Sequence, residues 1–307
     1  MTMDISNQNK LGEFYEELKR LDVNVTRPDI NTCFADFRTE GEKFYYALGG
    51  IKAVGYEAIS NIVKERLKKG KFKSINDFLN RLNPKDINKL QLEGLVKAGA
   101  FDNLNINRLS LFNSIPNFIL KSKNIYENKA ANQIDLFSEE SNDENDIVIP
   151  VDDWKFEERL SKEFEAVGFF ISDHPLNQFK DIFHDYKIFD YVSFNSDDDL
   201  KNSNIAATLL KIQERKTAKG NTYAVLKLTD LTSVFELFIF SDILETNREI
   251  LIEGSSLIIT LVKSISNDDN KSKRINVQKI ASLKDLINKP INEVIFNLKS
   301  FSEIEEI

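Results

Sequence analysis

The five residues Gln133-Ile134-Asp135-Leu136-Phe137 have the pattern of a short peptide that binds a partner protein. The amide of Gln133 can donate and accept hydrogen bonds, and Leu136 and Phe137 form a compact apolar pair that can fill a groove. The surrounding residues are rich in Asn, Ser, Asp and Glu and show no helical or strand period. The pattern therefore predicts an extended binding peptide in a flexible segment. A chance match inside an amphipathic helix is the alternative.

Two glycine-bearing turns between predicted helices have the residue types that suit contacts to phosphate. One turn covers residues 50–55, with Gly50 and Gly55, and the other covers residues 98–100, with Gly99. Glycine permits positive φ and close approach, so successive backbone N–H groups can point at one phosphate. Cations beside these turns would add charge-assisted contacts, namely Lys52, Lys97 and Arg108. Ordinary helix caps at Gly55 and Gly99 are the alternative.

A third candidate site lies in the second half of the chain, where cations gather around a predicted hairpin. They are Lys211, Arg215, Lys216 and Lys219. Alternation along the neighbouring strands places Tyr223 and Phe238 on the face away from the core, where nucleic-acid bases can stack. Packing of these two rings against neighbouring domains is the alternative.

Composition limits the class of protein. A chain of 307 residues with 41% apolar residues can hold two or three domains. One cysteine, Cys33, excludes a disulfide framework, and two histidines leave too few ligands for a zinc site. The net charge of −8 argues against nucleic acid as a partner. However, residues 139–158 hold nine acids and one lysine, and their net charge equals that of the whole chain. The rest of the chain is near neutral.

The spacing of apolar residues along the chain predicts the helices and strands that carry these candidate sites. Residues 1–125 are predicted to be mostly helical, with a short strand near residues 44–48. The predicted helices cover residues 11–22, 57–68, 75–82, 84–96 and 108–120. Residues 126–150 lose any period and are predicted to be a disordered linker. A further helix is predicted over residues 154–166, and a lone His174 before Pro175 is interpreted as a turn or packing residue.

From Asn204 the period changes to two. Strands are predicted over residues 205–213, 222–228, 234–240, 256–264 and 275–280. A short helix near residues 242–251 falls between the third and fourth strands. Five strands with a helix at that point match the pattern of an OB-fold barrel.

Six segments, in this order along the chain, resemble the C-terminal part of the bacterial DNA polymerase III alpha subunit. They are PDIN (28–31), GIKAVG (50–55), LVKAGAFD (95–102), QIDLF (133–137), VGFFISDHPL (167–176) and RKTAKG (215–220). The chain departs from this family at Thr208 and Leu261, where relatives commonly have glycine at bends of the first and fourth barrel strands. We therefore expect these two strands to be harder to bend.

The resemblance implies a multidomain α+β protein, in which a helix-hairpin-helix module and a five-stranded OB-fold barrel are joined by a flexible acidic linker. The implied segments are the end of the fingers (1–48), the helix-hairpin-helix module (49–125), the linker (126–153), a helical connector (154–203), the OB domain (204–288) and the start of a C-terminal domain (289–307). Within the linker, residues 133–137 would bind the ring-shaped sliding clamp. The helix-hairpin-helix module would bind duplex DNA, and the OB domain would bind a single-stranded template.

The family's catalytic carboxylates lie in a palm domain that we expect to be missing from this chain. We interpret Asp29, Asp36, Asp230 and Asp242 as turn or cap residues. No catalytic residue, metal site or cofactor is therefore expected here, since Mg²⁺ would bind only in the palm. The chain alone should be inactive as a DNA-directed DNA polymerase.

The resemblance further implies a cytoplasmic protein whose partners are DNA, the sliding clamp and the other subunits of the polymerase III holoenzyme, with no membrane partner. An OB-fold module that binds RNA or tRNA is one alternative, although it leaves residues 133–137 and the glycine turns unexplained. A non-functional truncated gene product is another.

Overall fold

The computed structural model describes residues 2–5, 7–130, 147–217, 220–265 and 273–287. The chain forms two compact units, Met1–Asn177 and Gln178–Ile307. The first unit is mainly helical, and the second is built on a β-sheet. The predicted multidomain α+β class is therefore confirmed.

Six α-helices make up most of the first unit. They are α1 (Gln8–Arg20), α2 (Tyr56–Lys69), α3 (Ile75–Arg81), α4 (Lys89–Lys97), α5 (Arg108–Ala130) and α6 (Phe156–Val167). The side chains of Asn7, Ser74 and Asn88 accept hydrogen bonds from backbone N–H groups at the starts of α1, α3 and α4. The helix predicted from residue 84 is corrected, because Pro84–Asp86 forms a 3-10 helix and α4 begins only after the Asn88 cap.

A small three-stranded sheet precedes the first hairpin turn. Its strands are β1 (Val25–Thr26), β2 (Arg38–Glu40) and β3 (Lys43–Tyr45). The central strand β3 pairs parallel with β1 and antiparallel with β2. The strand predicted over residues 44–48 is shorter than expected, because the chain turns into a 3-10 helix at Leu48–Gly50.

One hydrophobic core joins the helices of the first unit to the segment that follows α6. Tyr15 of α1 stacks on Phe169 with ring centroids 4.7 Å apart, and its hydroxyl donates to the carbonyl of Ile171 at 3.3 Å. Phe78 of α3 contacts Phe72 and Phe101 edge-on. The residues after α6 therefore pack into the same core as α1 and the small sheet.

The second unit is a mostly antiparallel sheet. Its strands are β4 (Ile188–Phe189), β5 (Asn202–Lys216), β6 (Thr222–Thr229), β7 (Val234–Phe240), β8 (Ser256–Ile265) and β9 (Lys273–Ser282). The order across the sheet is β7-β6-β5-β8-β9, with β4 pairing parallel to β5. Short helices flank the strands: α7 (Tyr191–Ser196), α8 (Ser241–Asn247) and α9 (Leu283–Ile287). The five predicted strands and the helix between the third and fourth are present, and closure into a barrel stays a prediction.

Register shifts interrupt the pairing of the two long strands. The register between β5 and β6 shifts between Leu209 and Lys211, with the extra residue in β5, and that between β8 and β9 shifts between Thr260 and Leu261, with the extra residue in β9. An extra residue at such a point bends the strand that carries it and increases its twist. The first half of β5 pairs with β8 and its second half with β6. The loss of curvature expected from Thr208 and Leu261 stays a prediction.

Candidate nucleic-acid interface

The first hairpin turn joins the 3-10 helix Leu48–Gly50 to the start of α2. Ala53 adopts φ +62, and Gly55 precedes the helix in an extended conformation with no side-chain cap for the N–H groups that follow. These N–H groups are the unpaired donors of a helix start, which attract anions. Lys52 is exposed, and its backbone N–H donates to the carbonyl of Ala166 at 2.9 Å. Within the turn, the N–H groups of Gly50, Ile51, Lys52 and Val54 donate to backbone carbonyls of the protein. The phosphate contact therefore stays a prediction that depends on the N–H groups at the start of α2.

A groove lies beside this turn. Asn61 of α2 donates to the carboxylate of Asp86 at 3.0 Å, and Gln91 of α4 donates to the Asp86 carbonyl at 2.9 Å. These bonds fix one wall of the groove against the other. The groove is lined by Ala53, Gly55, Tyr56, Glu57, Ala58, Asn61, Asn83, Lys85, Asp86, Asn88 and Gln91.

Gly94, which the sequence analysis missed, allows α4 to approach the first hairpin turn. A Cβ at this position would lie 2.7 Å from the carbonyl oxygen of Lys52, so no larger residue fits without a shift of the backbone. The only signal in the sequence is a glycine inside a helical pattern, which commonly has a packing reason.

The second hairpin turn is closed by its own hydrogen bonds. The N–H groups of Ala98, Gly99 and Ala100 donate to carbonyls of α4 at 2.9–3.0 Å. Gly99 has φ +77, the conformation of a glycine that ends a helix. The phosphate contact predicted for residues 98–100 is therefore corrected, because the N–H donors that it needs complete the end of α4.

Arg108 is buried in an ion-pair network, and its predicted contact with DNA is also corrected. Its guanidinium donates to both carboxylate oxygens of Asp102 at 2.8 and 2.7 Å, to Glu163 at 3.4 Å and to the carbonyl of Lys97 at 3.1 Å. Burial acts to lower the pKa of Arg108, but the hydrogen bonds and charges of Asp102 and Glu163 outweigh it and raise that pKa. A Cβ at Gly99 would lie 2.1 Å from the Arg108 Nη2 atom, so Gly99 makes room for this guanidinium.

Lys97 is largely occupied by an acidic partner. Its Nζ lies 2.7 Å from the carboxylate of Glu165 and 5.4 Å from the centre of the Phe112 ring. The hydrogen bond from Lys97 lowers the pKa of Glu165 below its usual value. Of the three cations predicted beside the hairpin turns, Lys52 is the one whose side chain is exposed.

The outer face of the second unit combines aromatic and basic side chains, as alternation predicts. Core positions of β6 and β7, such as Leu226 and Leu237, are buried, while Phe238 and Phe240 are 54% and 61% exposed. Strand pairing places Arg215 beside Tyr223 and Tyr223 beside Phe240.

Lys211 and Lys216 are exposed on β5, and Lys219 lies outside the described residues. Two further side chains extend this outer face beyond the predicted set. Phe240 belongs to it, as does Lys227, which is paired with Lys211 across the strands. Strict alternation along β7 is the signal in the sequence that would have included Phe240.

The binding peptide at residues 133–137 lies outside the described residues, and both of its described flanks belong to the first unit. On one side α5 ends at Ala130. On the other, Ile149 accepts a hydrogen bond from Ser110 of α5 through its carbonyl, and its N–H donates to Ser114 at 2.7 Å.

Of the four acidic residues interpreted as turn or cap residues, Asp29 and Asp230 accept backbone N–H groups, whereas Asp36 and Asp242 accept from the hydroxyls of Tyr56 and Ser241. Asp29 accepts from the N–H of Asn31 at 2.7 Å, and Asp230 accepts from the N–H groups of Tyr191 and Ser233 at 2.7 and 2.6 Å. His174 accepts from the N–H of Leu176 at 3.2 Å, as expected of a turn residue. In the parts of the chain that the structure describes, no helix is long and apolar enough to cross a membrane, and no cluster of His, Cys, Asp and Glu could hold a metal ion.

Comparison with known proteins identifies both the module and the family. A family model described as a helix-hairpin-helix motif matches residues 22–111. DNA polymerase III subunit alpha of Borreliella burgdorferi is 30% identical over 96% of this chain and 26% of its own length. The Rickettsia conorii subunit is 33% identical over 100% of this chain and 29% of its own, and the Campylobacter jejuni subunit is 30% identical over 82% and 21%. The chain thus spans about a quarter of the length of these relatives, and it is related to the C-terminal portion of the bacterial DNA polymerase III alpha subunit.

Proposed function

We propose that this chain supplies the DNA-binding and sliding-clamp-binding parts of a replicative DNA polymerase of the polymerase III type. The observation that carries the proposal is the helix-hairpin-helix match, which includes an exposed hairpin turn followed by an uncapped helix start. The relatives are alpha subunits of DNA polymerase III, which supports the same function. Such a protein would act in the cytoplasm with the other subunits of the polymerase holoenzyme.

The first hairpin turn would hold duplex DNA by its backbone. The N–H groups at the start of α2 would donate to one phosphate, helped by the dipole of the helix. Lys52 and Lys85, both exposed near the groove, would add charge. Contacts of this kind do not read base sequence, which suits an enzyme that must copy every sequence.

The outer face of the second unit would hold a single strand. Bases would stack on Phe238, Phe240 and Tyr223, and the basic side chains of β5 and β6 would follow the backbone. Stacking tolerates any base, because every base has an aromatic face.

The peptide at residues 133–137 would attach the chain to the sliding clamp. Gln133 would occupy a polar pocket, and Leu136 and Phe137 would fill an apolar one. Burial of the two apolar side chains contributes roughly 3–5 kcal/mol before the cost of ordering the peptide. The affinity of the isolated peptide would therefore be micromolar or weaker. Simultaneous contacts to DNA would raise the total affinity and keep the polymerase on its template.

A pair of substitutions at one position tests the hairpin contact. Tyr56→Pro removes the first N–H donor of α2, while Tyr56→Ala keeps that donor and removes the same ring and hydroxyl. Proline fits here, because it is favoured at the first helical position and because Gly55 already has φ −74 and ψ 128. We expect the proline variant to bind a fluorescein-labelled duplex about tenfold more weakly than the alanine variant. Equal affinities of the two variants would refute a phosphate contact at this helix start.

A further inference from the structure

Four exposed lysines lie in the second half of α2 and in the loop that follows it. We call Lys64, Lys68, Lys71 and Lys73 the lysine patch. Within the described part of the chain, none of the four forms an ion pair. The acidic residues beside them already have other partners. The patch therefore presents uncompensated positive charge.

The neutralised acids are Glu65 and Asp77. Glu65 lies 2.9 Å from Lys69 and 3.4 Å from Arg81, and Asp77 lies 3.2 Å from Arg81. The Asp77 carboxylate also accepts from the N–H of Lys73 at 3.0 Å. Both carboxylates are thus paired with cations outside the patch, so they do not cancel its charge.

The loop that holds half of the patch is fixed by hydrogen bonds and by the buried ring of Phe72. Arg81 donates to the carbonyls of Gly70 and Lys71 at 2.9 and 3.3 Å, and its guanidinium lies 4.4 Å from the centre of the Phe72 ring. The side chain of Asn31 pairs with both the N–H and the carbonyl of Phe72 at 2.8 Å. Because this backbone is ordered in advance, a ligand that binds Lys71 and Lys73 pays little to order the loop.

Most of the lysine patch lies at the end of α2 opposite the hairpin turn. With 14 residues in α2 and a rise of about 1.5 Å per residue, the two ends are separated by ~20 Å. Phosphates along one strand of a duplex are spaced by about 3.4 Å, so this distance corresponds to roughly six base pairs. One duplex that runs along α2 can therefore contact both ends.

We propose that the lysine patch is a second contact for the phosphate backbone of DNA, which extends the duplex footprint from the hairpin turn along α2. The proposal rests on the proposed function, since it takes the ligand of the hairpin to be duplex DNA. Four lysines on a pre-ordered surface bind phosphates by charge alone and are indifferent to base sequence. The patch therefore contributes to affinity and to its dependence on salt.

The test measures the affinity of the full chain for a 24-base-pair duplex at several salt concentrations. The patch variant is Lys64→Gln, Lys68→Gln, Lys71→Gln, Lys73→Gln. The matched control removes the same charge from exposed lysines elsewhere: Lys43→Gln, Lys123→Gln, Lys180→Gln, Lys187→Gln. Each phosphate contact contributes about 0.9 to the slope of log affinity against log salt. We expect this slope to be less steep by about 3 in the patch variant and almost unchanged in the control.

Equal slopes for the patch variant and the control would overturn the inference, provided that circular dichroism shows both to be folded. A variant with Lys→Arg at all four positions keeps the charge and should bind like the original chain. The hairpin pair at Tyr56 separates the two proposals. If Tyr56→Pro and Tyr56→Ala bind alike but the patch variant is weakened, the hairpin contact fails and the lysine patch stands. A chain that binds no duplex at low salt overturns both.

Discussion

Arg108 and Glu163 form an ion pair in which both side chains are buried, with exposures of 3% and 0% and 3.4 Å between Nη1 and Oε2. The other carboxylate oxygen of Glu163 accepts the N–H groups of Ile171 and Ser172 at 2.8 and 2.7 Å. Arg108 begins α5 and Glu163 lies in α6. The pair thus joins the second hairpin turn to the segment after α6 inside one core.

Loss of the Glu163 carboxylate should destabilise the first unit strongly. Glu163→Ala leaves Arg108 with one acidic partner and two backbone N–H groups without an acceptor, a loss of about 3–5 kcal/mol in the free energy of unfolding. Glu165→Ala, on an exposed carboxylate, should cost less than about 1 kcal/mol. Urea unfolding followed by the fluorescence of Trp154, the only tryptophan in the chain, reports on this unit. Similar midpoints for the two variants would contradict the role given to Glu163.

Gly99 should tolerate no side chain, whereas Gly41 should tolerate one at moderate cost. Both have positive φ, +77 and +60, so alanine at either position costs about 1–2 kcal/mol in backbone strain. At Gly99 the new Cβ would also displace Arg108, while at Gly41 it meets nothing within 4 Å. We expect Gly99→Ala to lower the urea midpoint clearly more than Gly41→Ala does. An equal effect would mean that Arg108 moves aside without cost.

Stability should fall in alkaline solution because of Cys33. Burial of the thiol raises its pKa from 9.0 to about 11, although a hydrogen bond from Asp29 opposes the shift. Between these values the unfolded chain loses a proton that the folded chain keeps, so the stabilisation present below pH 9 is lost as the pH rises through 11. Two pKa units correspond to about 2–3 kcal/mol.

The measurement is the urea midpoint between pH 8 and pH 11, followed through Trp154. Cys33→Ala should flatten the decline between pH 9 and pH 10. Tyr15, whose pKa burial raises to about 12, should maintain a decline at higher pH in both proteins. Identical curves for the two proteins would exclude the thiol as the cause.

Phe238 and Phe240 should matter for single-stranded DNA and little for stability, since both rings are more than half exposed. Phe238→Ala with Phe240→Ala should weaken binding of an oligothymidylate by about 1–3 kcal/mol for each base that loses its stacking partner. Phe189→Ala, which removes another exposed ring from the same unit, is the control. Fluorescence quenching titrations that give one affinity for both variants would exclude stacking on this face.

Attachment to the sliding clamp depends, in our proposal, on two apolar side chains. Leu136→Ala with Phe137→Ala should abolish micromolar binding to the cognate clamp in surface plasmon resonance, while duplex binding stays unchanged. Ile134→Ala, in the same peptide, should have a smaller effect. If the double variant retains clamp affinity, residues 133–137 are not the attachment point.

Strand β7 shows most clearly why the strands of the second unit could be predicted, because its burial alternates residue by residue. In β7 the burial alternates between Phe235, Leu237 and Ile239 on the core side and exposed residues between them. Hydrophobic period is a local signal, and each strand carries it within a few residues. The register shifts could not be predicted, since they depend on how two distant strands align.

The phosphate contact predicted for the second hairpin turn was wrong for a related reason. A glycine between two helices, followed by an arginine, has the same sequence pattern whether it faces solvent or a buried partner. Arg108 is held by Asp102, six residues before it, and by the buried carboxylate of Glu163, which lies 55 residues away along the chain. At the first hairpin turn, the N–H groups without a side-chain cap lie at the start of α2, and their contact with phosphate stays a prediction.

The residues that follow the peptide segment are held along α5 by hydrogen bonds between α5 side chains and their backbone. Asn117 donates to the carbonyl of Ile147, Ser114 and Ser110 bond to Ile149, and Asn107 donates to Val151. A partner that takes hold of the chain between residues 130 and 147 applies mechanical force to this row. Force along the axis of α5 is shared by all the bonds at once, whereas force away from the helix breaks them one after another. These hydrogen bonds should therefore resist a force parallel to α5 far better than a force perpendicular to it.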